Sequence, residues 1–70
     1  MAIETSIREF LEQVAVKHGE EYRNQMDVRH AGGRDIVITT PEGEKSIVSL
    51  GNLQLMTRTM KRHASARLNA

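Results

Sequence analysis

The stretch Asp35-Ile36-Val37-Ile38-Thr39-Thr40-Pro41-Glu42-Gly43-Glu44-Lys45-Ser46-Ile47-Val48-Ser49 decides the fold. Both of its ends are rich in β-branched residues, which fit a pleated strand better than a helix. Between them, Pro41 presets φ for the first turn position. Gly43 is free to take the left-handed conformation of a type I turn with a bulge. The spacing predicts a β-hairpin over residues 34–49. A lone hairpin is marginal in water, so this one must pack on helices or pair with a second copy. The unbroken Ile36-Val37-Ile38 run predicts burial on both faces of the strand, which favours a second copy.

Upstream of the hairpin, Ile3, Ile7, Phe10, Leu11 and Val14 recur at steps of three and four, the spacing of one helix face. His18, Tyr22 and Met26 extend that stripe by steps of four. Glu9, Glu12, Glu20, Arg23 and Asp27 fall on the other side, a solvated face. Lys17-His18-Gly19 has the composition of a helix C-terminus. The stripe survives beyond Gly19, however, and the pattern therefore predicts one long helix over residues 4–29. Thr5 and Ser6 are its candidate caps, and Gly32-Gly33 ends it. Downstream, a second helix is expected over residues 51–67, opened by Ser49 or Gly51-Asn52. Leu53, Met56, Met60 and Ala64 share one face with Leu68 beside them, while Arg58, Lys61 and Arg62 share the opposite face.

The reading is a single α+β domain spanning 1–70, ordered helix, hairpin, helix (α-β-β-α), with no repeat or linker. The chain has 70 residues, of which 39% are apolar, with only Phe10 and Tyr22 aromatic and four methionines. A domain this small buries only ~60% of its unfolded surface and is marginal alone. A homodimer, intertwined or side by side, is therefore expected. Ile36, Val37, Ile38, Phe10, Met56 and Met60 are its expected dimer or core residues.

Several classes of function are excluded by composition. With no cysteine there is no disulfide scaffold and no Cys-ligated zinc. No apolar run approaches the ~20 residues of a membrane helix, and no signal peptide opens the chain. A cytoplasmic protein without membrane insertion is expected. No Gly-x-Ser-x-Gly or phosphate-cradling glycine motif occurs. Gly32-Gly33 precedes a strand, not a helix N-terminus. His18, His30 and His63 stand far apart, and none has a histidine four residues away. The chain is expected not to be an enzyme, with no catalytic residue, metal ligand or cofactor.

Charge is unevenly spread. Residues 1–50 carry six Lys or Arg and all nine acids, a net −3, whereas residues 51–70 carry four cations and no acid, a net +4. Basic residues at i, i+3 and i+4 make a stripe able to contact phosphate or an acidic protein surface. They also offset the helix macrodipole near its C-terminus. Single-strand nucleic-acid binding needs aromatic platforms, and both aromatics belong to the expected buried stripe. Met56 and Met60, one turn apart, are core-like, although methionine also suits adaptable binding surfaces. Leu55 lies off their line and is a candidate exposed apolar residue.

The order of helix, hairpin and helix, resting on Asp35 to Ser49 followed at once by the helix from Asn52, resembles the small head–tail joining proteins of tailed bacteriophages. The resemblance covers about residues 30–64. It implies a structural connector role and carries over no residue roles. Very short, cysteine-free chains without catalytic groups are common among phage and mobile-element proteins, many of which modulate a host protein.

The expected function is therefore a non-enzymatic, homodimeric regulator or inhibitor that binds a larger host protein, one with an acidic surface. Arg58, Lys61, Arg62, Tyr22, Met26 and Leu55 are the expected contacts. A nucleic-acid-binding regulator using the basic helix is the first alternative. The phage connector is the second.

Overall fold

The computed structural model describes the backbone of residues 3–69 and the side chains of residues 3–64. Leu68, assigned above to the last helix's apolar face, and Arg67, counted among its cations, have side chains outside the described set. The elements in chain order are α1 (Ile3–His18), α2 (Glu20–Gln25), β1 (Asp27–Gly32), β2 (Asp35–Thr39), β3 (Lys45–Ser49) and α3 (Leu50–Asn69). The strands form one antiparallel meander in the order β1-β2-β3. The architecture is α+β, with an N-terminal helix, a hairpin and a C-terminal helix as expected, and a third strand added.

The hairpin folds as its residues dictate. β2 and β3 pair in the register Asp35 to Ser49 and Thr39 to Lys45. Gly43 takes φ +91°, and its N–H donates to the Thr40 carbonyl at 2.9 Å. The Thr40 N–H in turn donates to the Glu44 carbonyl at 2.9 Å. α3 starts without a linker. Ser49 caps it, its Oγ accepting from the Asn52 N–H at 3.2 Å.

The single helix expected over residues 4–29 is not formed. α1 stops at His18, where the Gly19 N–H still donates to the Ala15 carbonyl at 2.9 Å. Gly19 itself lies at φ 95°, ψ 160°, outside the helical region. The helix thus ends at the boundary that Lys17-His18-Gly19 advertised, with a positive-φ glycine in an extended conformation in place of the left-handed helical one. The four-residue stripe of His18, Tyr22 and Met26 continues in sequence but not in one helix. A single short turn of helix, α2, follows, and Met26 is already extended.

From Asp27 the chain is strand. β1 pairs with β2, setting Val28 against Ile38 and His30 against Ile36. The register slips between His30 and Gly32, leaving Ala31 unopposed in a bulge. Gly32 and Gly33, at φ +127° and +54°, make the tight β1–β2 turn that only glycine accepts readily. The two glycines thus close a hairpin instead of ending a helix. The third strand gives β2 a hydrogen-bonded neighbour on each side, which meets the instability of a lone hairpin within one chain.

All described helical packing is on one side of the sheet. α1 and α3 pack together, and α3 also touches β2 and β3 while α1 touches β1. The core is Phe10 and Val14 from α1, Ile36 and Ile38 from β2, and Leu50 and Leu53 from α3. Ser6 and Thr57 are buried with it. Ser6 therefore sits inside α1 and not at its cap. Its Oγ accepts from Gln54 Nε2 of α3 at 3.2 Å. The Thr57 hydroxyl donates to the Leu53 carbonyl at 3.0 Å, as buried helical threonines do.

Candidate partner-binding surfaces

Six of the residues singled out from sequence meet in one place. Phe10, Tyr22, Met26, Leu55, Met56 and Met60 line an open groove of about 430 Å³, together with Val14, Lys17, His18 and Thr59. Three elements build it. α1 gives one wall and α3 the other, and α2 with Met26 closes one end. The break at Gly19 makes this possible, because it turns Tyr22 back over the end of α1. The His18 and Tyr22 rings lie 4.7 Å apart at 31°. The Tyr22 hydroxyl reaches Glu42 Oε1 of the hairpin turn at 3.5 Å. Its pKa is raised, first by desolvation, then by the Glu42 charge and hydrogen bond, and last by Glu44.

A second hollow of about 310 Å³ shares Lys17 and Met60 with the groove and is completed by Gln13, Val16, His63 and Ala64. Val16 is 66% exposed and Leu55 56%, so the seam between α1 and α3 has apolar side chains on its rim as well as its floor. Neither hollow is lined by an acidic residue. The titratable side chains that line them are Lys17, His18, Tyr22 and His63.

Arg58, Lys61 and Arg62 are exposed on α3, and among the described residues none is in a salt bridge. At ~100° per residue, Arg58 and Arg62 fall about 60° and about 20° to the same side of Leu55's line, away from Leu53 and the core. The sequence placed these three residues on an outward face, and the structure leaves them there. It does not bring them into the groove. His63 is exposed too. His30 is not at a helix end but in β1, with Nε2 2.7 Å from the Gly33 carbonyl oxygen.

Ile36 and Ile38 are core residues, 0% and 7% exposed, while Val37 lies on the opposite face of β2, half-buried. That outer face also carries Ile47, 72% exposed, which the sequence reading did not single out. Two full cross-strand rows cross it, Arg29–Val37–Ile47 and Asp27–Thr39–Lys45, and beyond them Asp35 of β2 pairs with Ser49 of β3 and with Gly32 after the β1 bulge. A shallow concavity of about 710 Å³ over it is lined by residues of both rows, Asp27, Arg29, Val37, Thr39 and Lys45 among them. Arg29 Nε lies 2.7 Å from Asp27 Oδ2. Strict alternation around Val48 was the available signal for Ile47.

Among the described residues no cluster of three His, Asp or Glu side chains could hold a metal ion, and no helix is long and apolar enough to cross a membrane. No family model matches the chain, and no curated protein or solved structure was found similar to it.

Proposed function

We propose that this chain is a non-enzymatic protein-interaction module, a homodimer that regulates or inhibits a larger protein by taking an acidic amphipathic helix of that protein into the α1–α3 groove. The supporting observation is the make-up of the groove. It is an apolar channel floored by Phe10, Met56 and Met60, with Lys17 and His18 on it and no acid lining it. Helix-in-groove recognition needs apolar depth for anchors at i, i+3 and i+4. Flexible methionines let that depth adapt to the anchor. Cations at the rim select a helix with acidic flanks and steer its approach. Arg58 and Arg62, beside Leu55, extend the positive rim along α3.

The test uses three probes: a synthetic helical peptide with a leucine stripe flanked by glutamates, the same peptide with lysines for glutamates, and a generic DNA duplex. The acidic peptide should shift the NMR signals of Tyr22, Leu55, Met56 and Met60, and Leu55→Glu should abolish the effect. The lysine version should bind at least about tenfold more weakly. Failure of the acidic peptide to perturb the groove overturns the reading. Binding of the duplex through Arg58, Lys61 and Arg62, with a steep loss as salt rises, replaces it with the nucleic-acid reading.

A further inference from the structure

We infer that the outer face of the sheet is a self-complementary interface, on which a second copy stacks its own sheet about a two-fold axis parallel to β2. This deepens the homodimer element of the proposed function by naming its face, and it does not depend on the groove.

The argument starts from the register. On the uncovered face, the row Asp27–Thr39–Lys45 runs from an acid on one edge strand to a base on the other. The next row, Arg29–Val37–Ile47, has its apolar residues in the centre and at the β3 edge. Lys45 is exposed and has no salt bridge among the described residues. The face therefore holds an unpartnered apolar pair, Val37 and Ile47, with Asp27 and Lys45 at opposite edges of the neighbouring row, Arg29 paired to Asp27, and the exposed Asp35 towards the other end of β2.

Stacked sheets lie about 10 Å apart with strands nearly aligned, and closed dimers use one surface twice about a two-fold axis. Two in-plane axes are available, and they differ in what they bring together. An axis parallel to the strands lays β1 over β3 of the second copy and keeps each row over itself. Asp27 then meets Lys45 of the second copy, twice by symmetry. Val37 meets Val37 on the axis, and Ile47 meets the aliphatic stem of Arg29, whose guanidinium stays on Asp27. An axis perpendicular to the strands lays β1 over β1 and reverses the rows. It sets Lys45 towards Ser49 and Asp27 towards Gly32, and joins no opposite charges. Only the first arrangement joins opposite charges and stacks the apolar pair, its two Asp27–Lys45 contacts standing against one like-charge contact where Asp35 lies over Asp35 of the second copy at the exposed end of the sheet.

The face is small, about 17 Å by 14 Å from ~3.3 Å per residue and ~4.8 Å between strands. That is the scale of weak, reversible complexes. A dimer in rapid exchange, half-formed between about 10 µM and about 1 mM, is expected.

Charge reversal tests the axis as well as the face. By sedimentation or light scattering from about 1 µM to about 1 mM, a range that brackets affinities of this class, the wild-type chain should pass from monomer to dimer. Asp27→Lys alone sets two lysines face to face across the interface, and Lys45→Glu alone sets two acids face to face. Each should weaken dimerisation about tenfold, the product of two exposed ion pairs lost at once. Mixed in equal amounts, the two variants should recover dimerisation as a heterodimer. One cross-copy contact then joins two substituted residues and the other two native ones, and both are opposite in sign. Circular dichroism of each variant, with both sites on the surface, checks that the fold is kept. A wild-type chain monomeric throughout overturns both the homodimer and this face. A dimer indifferent to both substitutions, or two weakened variants that do not recover on mixing, overturns this face alone.

Discussion

The two faces of the sheet are built from the same kind of residue and meet opposite fates. On β2, Ile36 and Ile38 point to the helices and are 0% and 7% exposed, while Val37 between them faces out. On β3, Val48 is half-buried against the core, while its neighbour Ile47 is 72% exposed. A single residue step separates the two environments, since successive side chains alternate across a strand. The choice of covered face is made at the end of β3. Ser49 caps α3 and Leu50, the first residue of that helix, is buried, so the chain leaves the sheet towards one side only. β-propensity determines that a strand forms, and the adjoining helices determine which face counts as core.

The sharpest way to break this contrast is a pair of substitutions. Ile36→Ala should remove about 2–5 kcal/mol of stability, because a fully enclosed side chain leaves a cavity its neighbours fill only partly. A 70-residue domain has roughly 3–10 kcal/mol in all, so the variant should be largely unfolded or close to it. Ile47→Thr keeps the β-branch and should change monomer stability by no more than about 0.5 kcal/mol. Urea titration at low micromolar concentration, below dimerisation, measures both. Equal losses at the two sites would mean that the outer face is covered within one copy.

Gly19 carries the next largest effect, and it concerns how the covered side is assembled. At φ +95° an added Cβ meets nothing within 4 Å. The cost of substitution is therefore purely conformational. Gly19→Ala should destabilise the fold by about 1 kcal/mol or more, since an L-residue is strained there. Chemical synthesis with D-alanine at this position, whose preferred φ is positive, should be neutral or stabilising. Chemical denaturation followed by far-ultraviolet circular dichroism separates the two. If L-alanine stabilised the chain and raised its helicity, α1 and α2 would be one helix interrupted by choice of residue alone.

The sequence carried the hairpin, α3 and the core face of α1 openly, because each has a local signature. These are the β-branched runs around Pro41–Gly43, Ser49 ahead of an apolar helical face, and the spacing of Phe10 and Val14. β1 was hidden for a physical reason. Only Val28 in Asp27–Gly32 is both β-branched and apolar, and its burial comes from pairing with Ile38, a contact local pattern does not hold. The spacing of His18, Tyr22 and Met26 matched a helix by coincidence of period. Tyr22 and Met26, assigned to that stripe and to the expected contacts, border apolar side chains because the groove takes them from α2 and the residue after it. Lys17 and Thr59 entered the groove unannounced, since only the packing of α1 on α3 brings them there. The basic face of α3 was legible in full, being a property of one helix.

Tyr22 offers the finest measurement, at the margin between the covered side and solvent. It is the only tyrosine in the chain, so phenolate absorbance reports on it alone. Its hydroxyl donates towards Glu42 at 3.5 Å, and its pKa is raised by desolvation first and by Glu42 second. The neutral phenol is thus favoured in the folded state. Its contribution to stability is fully present below the unfolded value of about 10 and is lost as pH rises through the higher folded value. The absorbance midpoint should therefore lie above that of the urea-unfolded chain. Glu42→Gln should lower it part of the way, leaving the desolvation component. A midpoint equal to the unfolded one, or unmoved by Glu42→Gln, would show the hairpin turn standing clear of α2. That end of the groove would then be closed by Tyr22 and Met26 alone.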